Sequence, residues 1–265
     1  MQTLLDGSTR IDQAIARLRE FEPPEGYWLA FSGGKDSCVL KWLADRAGAK
    51  YEAHYSITSC DPPEVVRFVR EQHPDVSRDK PPVTMWAGIV KWGYPTRCIR
   101  WCCRELKERG GVGRVVLTGV RWAESPRRKA RHGVVSHWDK PRKTLVNPIV
   151  DWSDEDVWSC IRGEGIPYCS LYDEGWKRLG CVLCPQNRKV QEQLVRWPKM
   201  ARAWRLAFQR LWESAPTSTM ASVRALPTQW SSCEALWQAW LDRDSSLHGD
   251  IADAGCDLFS GGGSE

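Results

Sequence analysis

Six consecutive residues, Ser32-Gly33-Gly34-Lys35-Asp36-Ser37, bring together two hydroxyls, two glycines, an ammonium group and a carboxylate. They follow an apolar run, Tyr27-Trp28-Leu29-Ala30-Phe31, and precede residues with helical character. A strand that passes through glycines into a helix start makes an anion site, because the backbone turns tightly and the first helical N–H groups point at the ligand. Lys35 adds positive charge, and Ser32 and Ser37 add hydroxyl donors. Asp36 would repel a bare phosphate and makes best sense with a metal ion between them. The spacing is not that of a P-loop, and Asp36 stands where that motif carries its Ser or Thr. An ordinary strand-to-helix turn remains the plain alternative on local spacing alone.

A second set of reactive residues is sulfur-based. Cys102-Cys103 and Cys181-x-x-Cys184 supply four thiolates, enough for a [4Fe–4S] cluster or a zinc ion held by four cysteines, with buried free thiols as the remaining possibility. Neighbouring residues on a regular helix point roughly 100° apart. Both members of the tandem pair therefore reach one centre only near a helix end or a distortion. A bulky cluster accommodates this better than one small tetrahedral ion. Cysteines 38, 60, 98, 160, 169, 233 and 256 read as small packing residues.

The elements that must position these groups follow from periodicity. Ile11, Ala14, Ile15, Leu18 and Phe21 recur at helical spacing, predicting an amphipathic helix over 8–21 that ends at Pro23-Pro24. Strands are expected at 27–31, 51–58 and 114–120. Helices are expected at 37–47, after Pro62-Pro63, near 84–93 and 96–109, and from Ser153, whose capping box closes at Asp156. Alternating strands and helices predict an α/β fold, a Rossmann-like parallel sheet with helices on both faces. Residues 190–245 carry helical pattern without strand signal. The organisation read from sequence is an N-terminal helix (1–22), a nucleotide-loop domain containing the four cysteines (23–190), a helical extension (191–252) and a disordered tail (253–265).

Composition bounds the function. Thirty-eight basic residues against 33 acidic give a net charge of +5, which permits but does not require contact with nucleotides or nucleic acid. No apolar run approaches the roughly 18 residues that span a membrane, and the N-terminus has no signal-peptide core, so a cytoplasmic protein is expected. Eleven cysteines in such a chain favour a metal or redox centre over a disulfide framework. The sixteen tryptophans read mainly as core residues.

Ser-Gly-Gly-Lys-Asp-Ser after an apolar strand resembles the PP-loop of the adenine nucleotide alpha-hydrolases. Tandem Cys followed by Cys-x-x-Cys, with "TGVRWAES" (118–125), "NPIVDWSDEDVW" (147–158) and "GIPYCSLYDEGWKRLGC" (165–181), is similar to the cluster-binding branch of the PAPS reductase-like family. That branch includes assimilatory adenylyl-sulfate reductases and DNA phosphorothioation sulfurtransferases, and the resemblance spans roughly 25–190. It implies that Ser32, Gly33, Gly34, Lys35, Asp36 and Ser37 hold pyrophosphate and Mg²⁺. It also implies that Gly119, Arg121 and Asp61 contact the nucleotide, that Lys35, Asp36 and Arg121 serve catalysis, and that Cys102, Cys103, Cys181 and Cys184 bind a [4Fe–4S] cluster. Arg127, Arg128, Lys129 and Arg131, then Lys140, Arg142 and Lys143, extend a basic character that could track a nucleic-acid backbone.

Within such a family two reactions compete. A sulfonucleotide reductase carries its nucleophilic cysteine in a Glu-Cys-Gly-(Ile/Leu)-His tail; here Cys256 lies in "DAGCDLF" without those neighbours. Lys35-Asp36 instead suits ATP. The expected reaction is cleavage of ATP to AMP and pyrophosphate to adenylate an acceptor, nucleic acid or small molecule, for sulfur transfer from a donor such as a cysteine desulfurase. A non-catalytic nucleotide-binding module is the third possibility.

Overall fold

The computed structural model describes residues 8–139, 142–187 and 189–243. In chain order the elements begin α1 (Arg10–Glu20), β1 (Tyr27–Ala30), α2 (Lys35–Ala47), β2 (Tyr51–Ser56), α3 (Pro63–Gln72) and β3 (Ser77–Asp79). They continue with α4 (Met85–Trp92), α5 (Trp101–Leu106), β4 (Val115–Leu117), α6 (Pro126–Arg131), β5 (Val135–Asp139), β6 (Arg142–Val146) and α7 (Asp154–Glu164). Helices α8 (Val190–Arg196), α9 (Pro198–Ser214), α10 (Ala221–Arg224), α11 (Leu226–Gln229) and α12 (Cys233–Asp242) complete them.

The chain separates into two compact units, and neither is continuous. One comprises 1–56, 63–79 and 109–179 and holds the whole sheet. Its six strands run in the order β3-β2-β1-β4-β6-β5. All pairings are parallel except the β5–β6 hairpin. Tyr27 and Leu29 of β1 and Leu117 of β4 are buried, as the centre of a parallel sheet requires. The strand order reverses direction between β1 and β4, the switch point where open α/β sheets place their ligands beyond the carboxyl ends of the strands. The loops leaving β1 and β4 are 31–34 and 118–121, the two segments singled out for chemistry.

Local chemistry sets the helix ends in this unit. Thr9 caps α1 in a reciprocal capping box with Asp12, and Ser153 does the same for α7 with Asp156. Gly48 and Gly165 close α2 and α7 in the left-handed conformation. Helix α1 is anchored by a bidentate pair, Arg17 Nη1 and Nη2 donating to the Asp151 carboxylate at 2.8 and 2.9 Å. Burial alone would raise the Asp151 pKa, but the Arg17 fork more than offsets it and holds the carboxyl below its ordinary range. A depressed carboxylate stabilises the fold above its unfolded pKa and loses that contribution as pH falls through the lowered value. Asp151→Asn should therefore destabilise the protein by about 1–2 kcal/mol near neutral pH. In thermal melts the gap from the parent should close as pH drops below about 4.

Among the described residues the second unit comprises 57–62, 80–108, 180–187 and 189–243. Its core is aromatic. Trp204 and Trp240 lie 4.9 Å apart, Phe208 contacts Trp237 and Trp240, and Trp86 meets Trp204 edge-on. The indole N–H of Trp240 donates to the Pro95 carbonyl at 2.7 Å. The tryptophans here are packing residues. Helix α4 passes Trp101 so closely that a β-carbon on Gly88 would lie 2.3 Å from the indole. Gly88→Ala should cost about 1–3 kcal/mol through overpacking, read as a lowered melting temperature.

Two expectations about organisation change. The cysteine-bearing segments group with the helical extension rather than with the nucleotide loop, so the single 23–190 domain read from sequence is divided. Strands β3, β5 and β6 were not anticipated, and Lys143, expected to extend a basic character that could track a nucleic-acid backbone, is a buried residue of β6. The basic Lys140 and the segment 253–265 with Cys256 lie outside the described residues.

Candidate nucleotide and thiol sites

The loop after β1 is shaped by its glycines. Gly33 has φ +73°, and a β-carbon there would press on Val69 and Val65 at 2.9 and 3.0 Å. Gly34 is the N-cap of α2 and gives no side-chain cap. The hydroxyl of Ser37 donates to the Gly34 carbonyl at 2.8 Å and lies 3.2 Å from the Ser32 hydroxyl, which braces the turn. The N–H of Lys35 donates to the Tyr172 hydroxyl at 2.9 Å. Among the described residues the next two helical N–H groups, those of Asp36 and Ser37, have no protein acceptor, so they stand ready for an anion.

Four side chains converge on this helix start. Arg121, 1% exposed, donates from Nε to Asp36 Oδ1 at 2.7 Å, from Nη2 to Asp154 Oδ1 at 2.6 Å and from Nη1 to the Trp152 carbonyl at 3.2 Å. Lys35, 5% exposed, places Nζ 3.5 Å from Asp36 and 3.3 Å from Asp154. Burial opposes ionisation of Asp154, but the Arg121 hydrogen bond and the Lys35 charge hold its carboxyl below the ordinary range. Gly119 keeps the loop after β4 open to this approach, since a β-carbon there would sit 3.1 Å from Asp36 Cβ. The site thus carries two cations and two carboxylates, with Asp154 64% exposed and facing solvent.

Arg121 takes a role different from the anion contact expected of it. Three of its five N–H donors are taken up by protein acceptors, which makes it a residue that positions both carboxylates. Asp154 and Tyr172 were not singled out from sequence, although both lie in the quoted segments. An acidic residue in the first turn of a helix reads as an ordinary dipole partner, which masks Asp154. Asp61 is placed with the thiols: its Oδ1 lies 3.8 Å from Cys181 Sγ and 4.0 Å from Lys107 Nζ.

The second unit gathers the four expected cysteines. Cys102 and Cys103 lie in the first turn of the short helix α5, and each thiol influences the other's ionisation. Cys184 lies within the electrostatic reach of Cys181, Cys102 and Cys103. Arg100 Nη2 lies 3.2 Å from Cys103 Sγ. The neighbouring Cys102 thiol, and then Arg100 and Lys107, lower the Cys103 thiol pKa.

The Cys-x-x-Cys turn is held by the helical extension. Leu183 N–H donates to Gln193 at 2.6 Å, Trp204 donates to the Val182 carbonyl at 3.1 Å, and Arg243 donates to the Leu183 and Cys184 carbonyls at 3.2 and 3.1 Å. Among the described residues no three His, Cys, Asp or Glu side chains converge closely enough for a single metal ion. Four cysteines in one unit, with Arg100 and Lys107 beside them, suit a polynuclear iron–sulfur cluster better than a single ion, since its corners stand apart and its anionic charge needs cations.

A parallel sheet with a glycine loop and basic helix start at its switch point defines a nucleotide-binding α/β protein. The chain belongs to the phosphoadenosine phosphosulfate reductase domain family, whose model matches residues 26–187, more than half of the chain. It is 34% identical over 88 residues to an adenosine 5′-phosphosulfate reductase of Staphylococcus epidermidis, covering 31% of this chain and 36% of that protein. It is 29% identical over 183 residues to a probable FAD synthase of Caenorhabditis briggsae, covering 64% of this chain and 32% of that protein. The chain spans less than half the length of each of these relatives. The crystal structure of a phosphoadenylyl-sulfate reductase from Candida auris, a phosphate complex, shares the fold. Its TM-score is 0.50 at 19% identity, over 68% of this chain and 97% of that one. No helix among the described residues is long and apolar enough to cross a membrane.

Proposed function

We propose that the protein cleaves ATP between the α- and β-phosphates, releasing pyrophosphate and adenylating an acceptor oxygen that sulfur then displaces as AMP leaves. The observation that carries this reading is the Lys35–Asp36–Asp154–Arg121 network at the open N-terminus of α2. A sulfonucleotide has no β,γ-phosphates, whereas ATP brings phosphate charge for Lys35 and the α2 amides to neutralise. Asp36 and Asp154 would hold Mg²⁺, which commonly takes one or two carboxylates together with substrate phosphates. Catalysis is then largely positioning and charge neutralisation by groups fixed before substrate arrives. The resemblance to an FAD synthase favours transfer chemistry at an α-phosphate, and the resemblance to an adenosine 5′-phosphosulfate reductase keeps sulfite release as the second reading.

Cys102, Cys103, Cys181 and Cys184 would hold a [4Fe–4S] cluster. A sulfur donor such as a cysteine desulfurase would supply sulfur. Exposed Arg127, Lys129 and Arg131 on and beside α6 favour a nucleic-acid acceptor through its backbone charge.

Anaerobically purified protein given ATP, adenylyl sulfate or its 3′-phosphorylated form in parallel discriminates the readings. Turnover of ATP supports the proposal. Sulfite released from a sulfonucleotide with a thiol reductant, and lost in Cys256→Ser, would establish the reductase. Tight ATP binding without any turnover would make the chain a nucleotide-binding module.

A further inference from the structure

The thiol site is built from three chain segments rather than two. The third is the turn 57–62, which carries a fifth cysteine. Cys60 is fully buried, at 0% exposure, and its backbone carbonyl accepts the Val182 N–H at 2.7 Å, which ties it directly to the Cys-x-x-Cys turn. Its thiol lies 3.5 Å from the Thr58 hydroxyl, which is itself 3.7 Å from Cys181 Sγ, so Thr58 stands between the two sulfurs. Ser59 between them adopts φ +67°, a left-handed conformation unusual for a residue with a β-carbon. Asp61 Oδ2 accepts the Thr58 N–H at 3.3 Å and closes the turn. Backbone strain of this kind persists only where surroundings over-determine it, and here it brings the Cys60 and Cys181 sulfurs to the one Thr58 hydroxyl.

We infer that the Thr58 hydroxyl, oriented by the Cys60 thiol, is a hydrogen-bond donor that tunes Cys181. The inference rests on the four-cysteine cluster reading above. A metal-bound cysteine carries no proton and can only accept. The Thr58 O–H then donates to Cys181 Sγ, and the Cys60 S–H donates to Thr58 Oγ1. The nearby Asp61 carboxylate would oppose the thiolate, and Lys107, 4.0 Å from that carboxylate and also charge-coupled to Cys181, offsets it. The Arg100 contact of Cys103 is ionic, whereas the Thr58 hydroxyl beside Cys181 is neutral. One-electron reduction of a [4Fe–4S] centre adds negative charge shared with its thiolate sulfurs. Donors to a ligand sulfur stabilise the reduced form and raise the potential. Cys60 is thus a positioning residue, not a fifth ligand.

The test is anaerobic purification of the parent, Cys60→Ala, Cys60→Ser and Thr58→Val proteins, followed by iron analysis and potentiometric titration with dithionite. Equal iron content in all four, potentials shifted negative in Cys60→Ala and Thr58→Val, and near-parent behaviour in Cys60→Ser bear the inference out. Full iron with unchanged potentials in both Cys60→Ala and Thr58→Val overturns it and leaves the cluster reading standing. Loss of iron in Cys60→Ala with circular dichroism unchanged would make Cys60 a ligand, which also overturns it. A parent protein without iron removes both this inference and the cluster reading.

Discussion

Lys35→Ala is expected to lower release of AMP and pyrophosphate from ATP by about 10²–10³-fold, the usual cost of removing one pre-organised charge-stabilising group. The loss should appear mostly in kcat, because the ammonium sits at the helix start where charge develops on the leaving pyrophosphate. The fold should survive the change. Arg121 still spans Asp36 and Asp154, so neither carboxylate is stranded, and an alanine at the first position of α2 is a good helix former. A melting temperature within a few degrees of the parent, with turnover gone, separates catalysis from stability. Lys35→Arg should not rescue it, since the site leaves Nζ in close contact with two carboxylates and the Tyr172 ring 5.9 Å away, with little room for a planar guanidinium.

Cys184→Ala is expected to have the largest effect on the second unit. In the cluster reading the parent binds about four irons per chain, and the variant should fall well below one, with the broad visible absorbance lost. Stability should fall too. Arg100 and Lys107 lie among these thiols and would lose the anionic charge of the cluster beside them. Gln193, Trp204 and Arg243, which satisfy the peptide groups of the 181–184 turn, would then hold an empty frame. Iron analysis, visible spectra and thermal melts of parent and variant check this together. A colourless parent carrying one zinc ion would contradict the reading.

The parts of the molecule legible in sequence were those where local pattern and function coincide. The α1 and α7 capping boxes, the buried β1 strand and the glycine loop each have a short-range signature, and the structure forms all of them. Strand β3 is three residues long and the β5–β6 hairpin carries Lys, Arg, His and Asp, so their pairing depends on sheet neighbours that no local pattern reveals. The site shows the same division. The loop residues and four cysteines were recognisable by type and spacing. The inward role of Arg121, the partnership of Asp154, the Tyr172 hydroxyl on the loop amide and the bond from Val182 N–H to the Cys60 carbonyl each join segments far apart in the chain. Asp61 shows the limit from the other side. It follows a strand's carboxyl end as a nucleotide ligand would, yet the turn at Ser59 places its carboxylate beside Cys181 and Lys107.

The central claim is about which phosphate bond breaks, and one measurement addresses it directly: phosphorus NMR of anaerobic protein with ATP and Mg²⁺, with and without candidate acceptors. The account predicts AMP, or an adenylated acceptor, together with pyrophosphate, and their absence in Lys35→Ala. ADP and inorganic phosphate as the products, or an unchanged ATP spectrum beside sulfite formation from adenylyl sulfate, would contradict it.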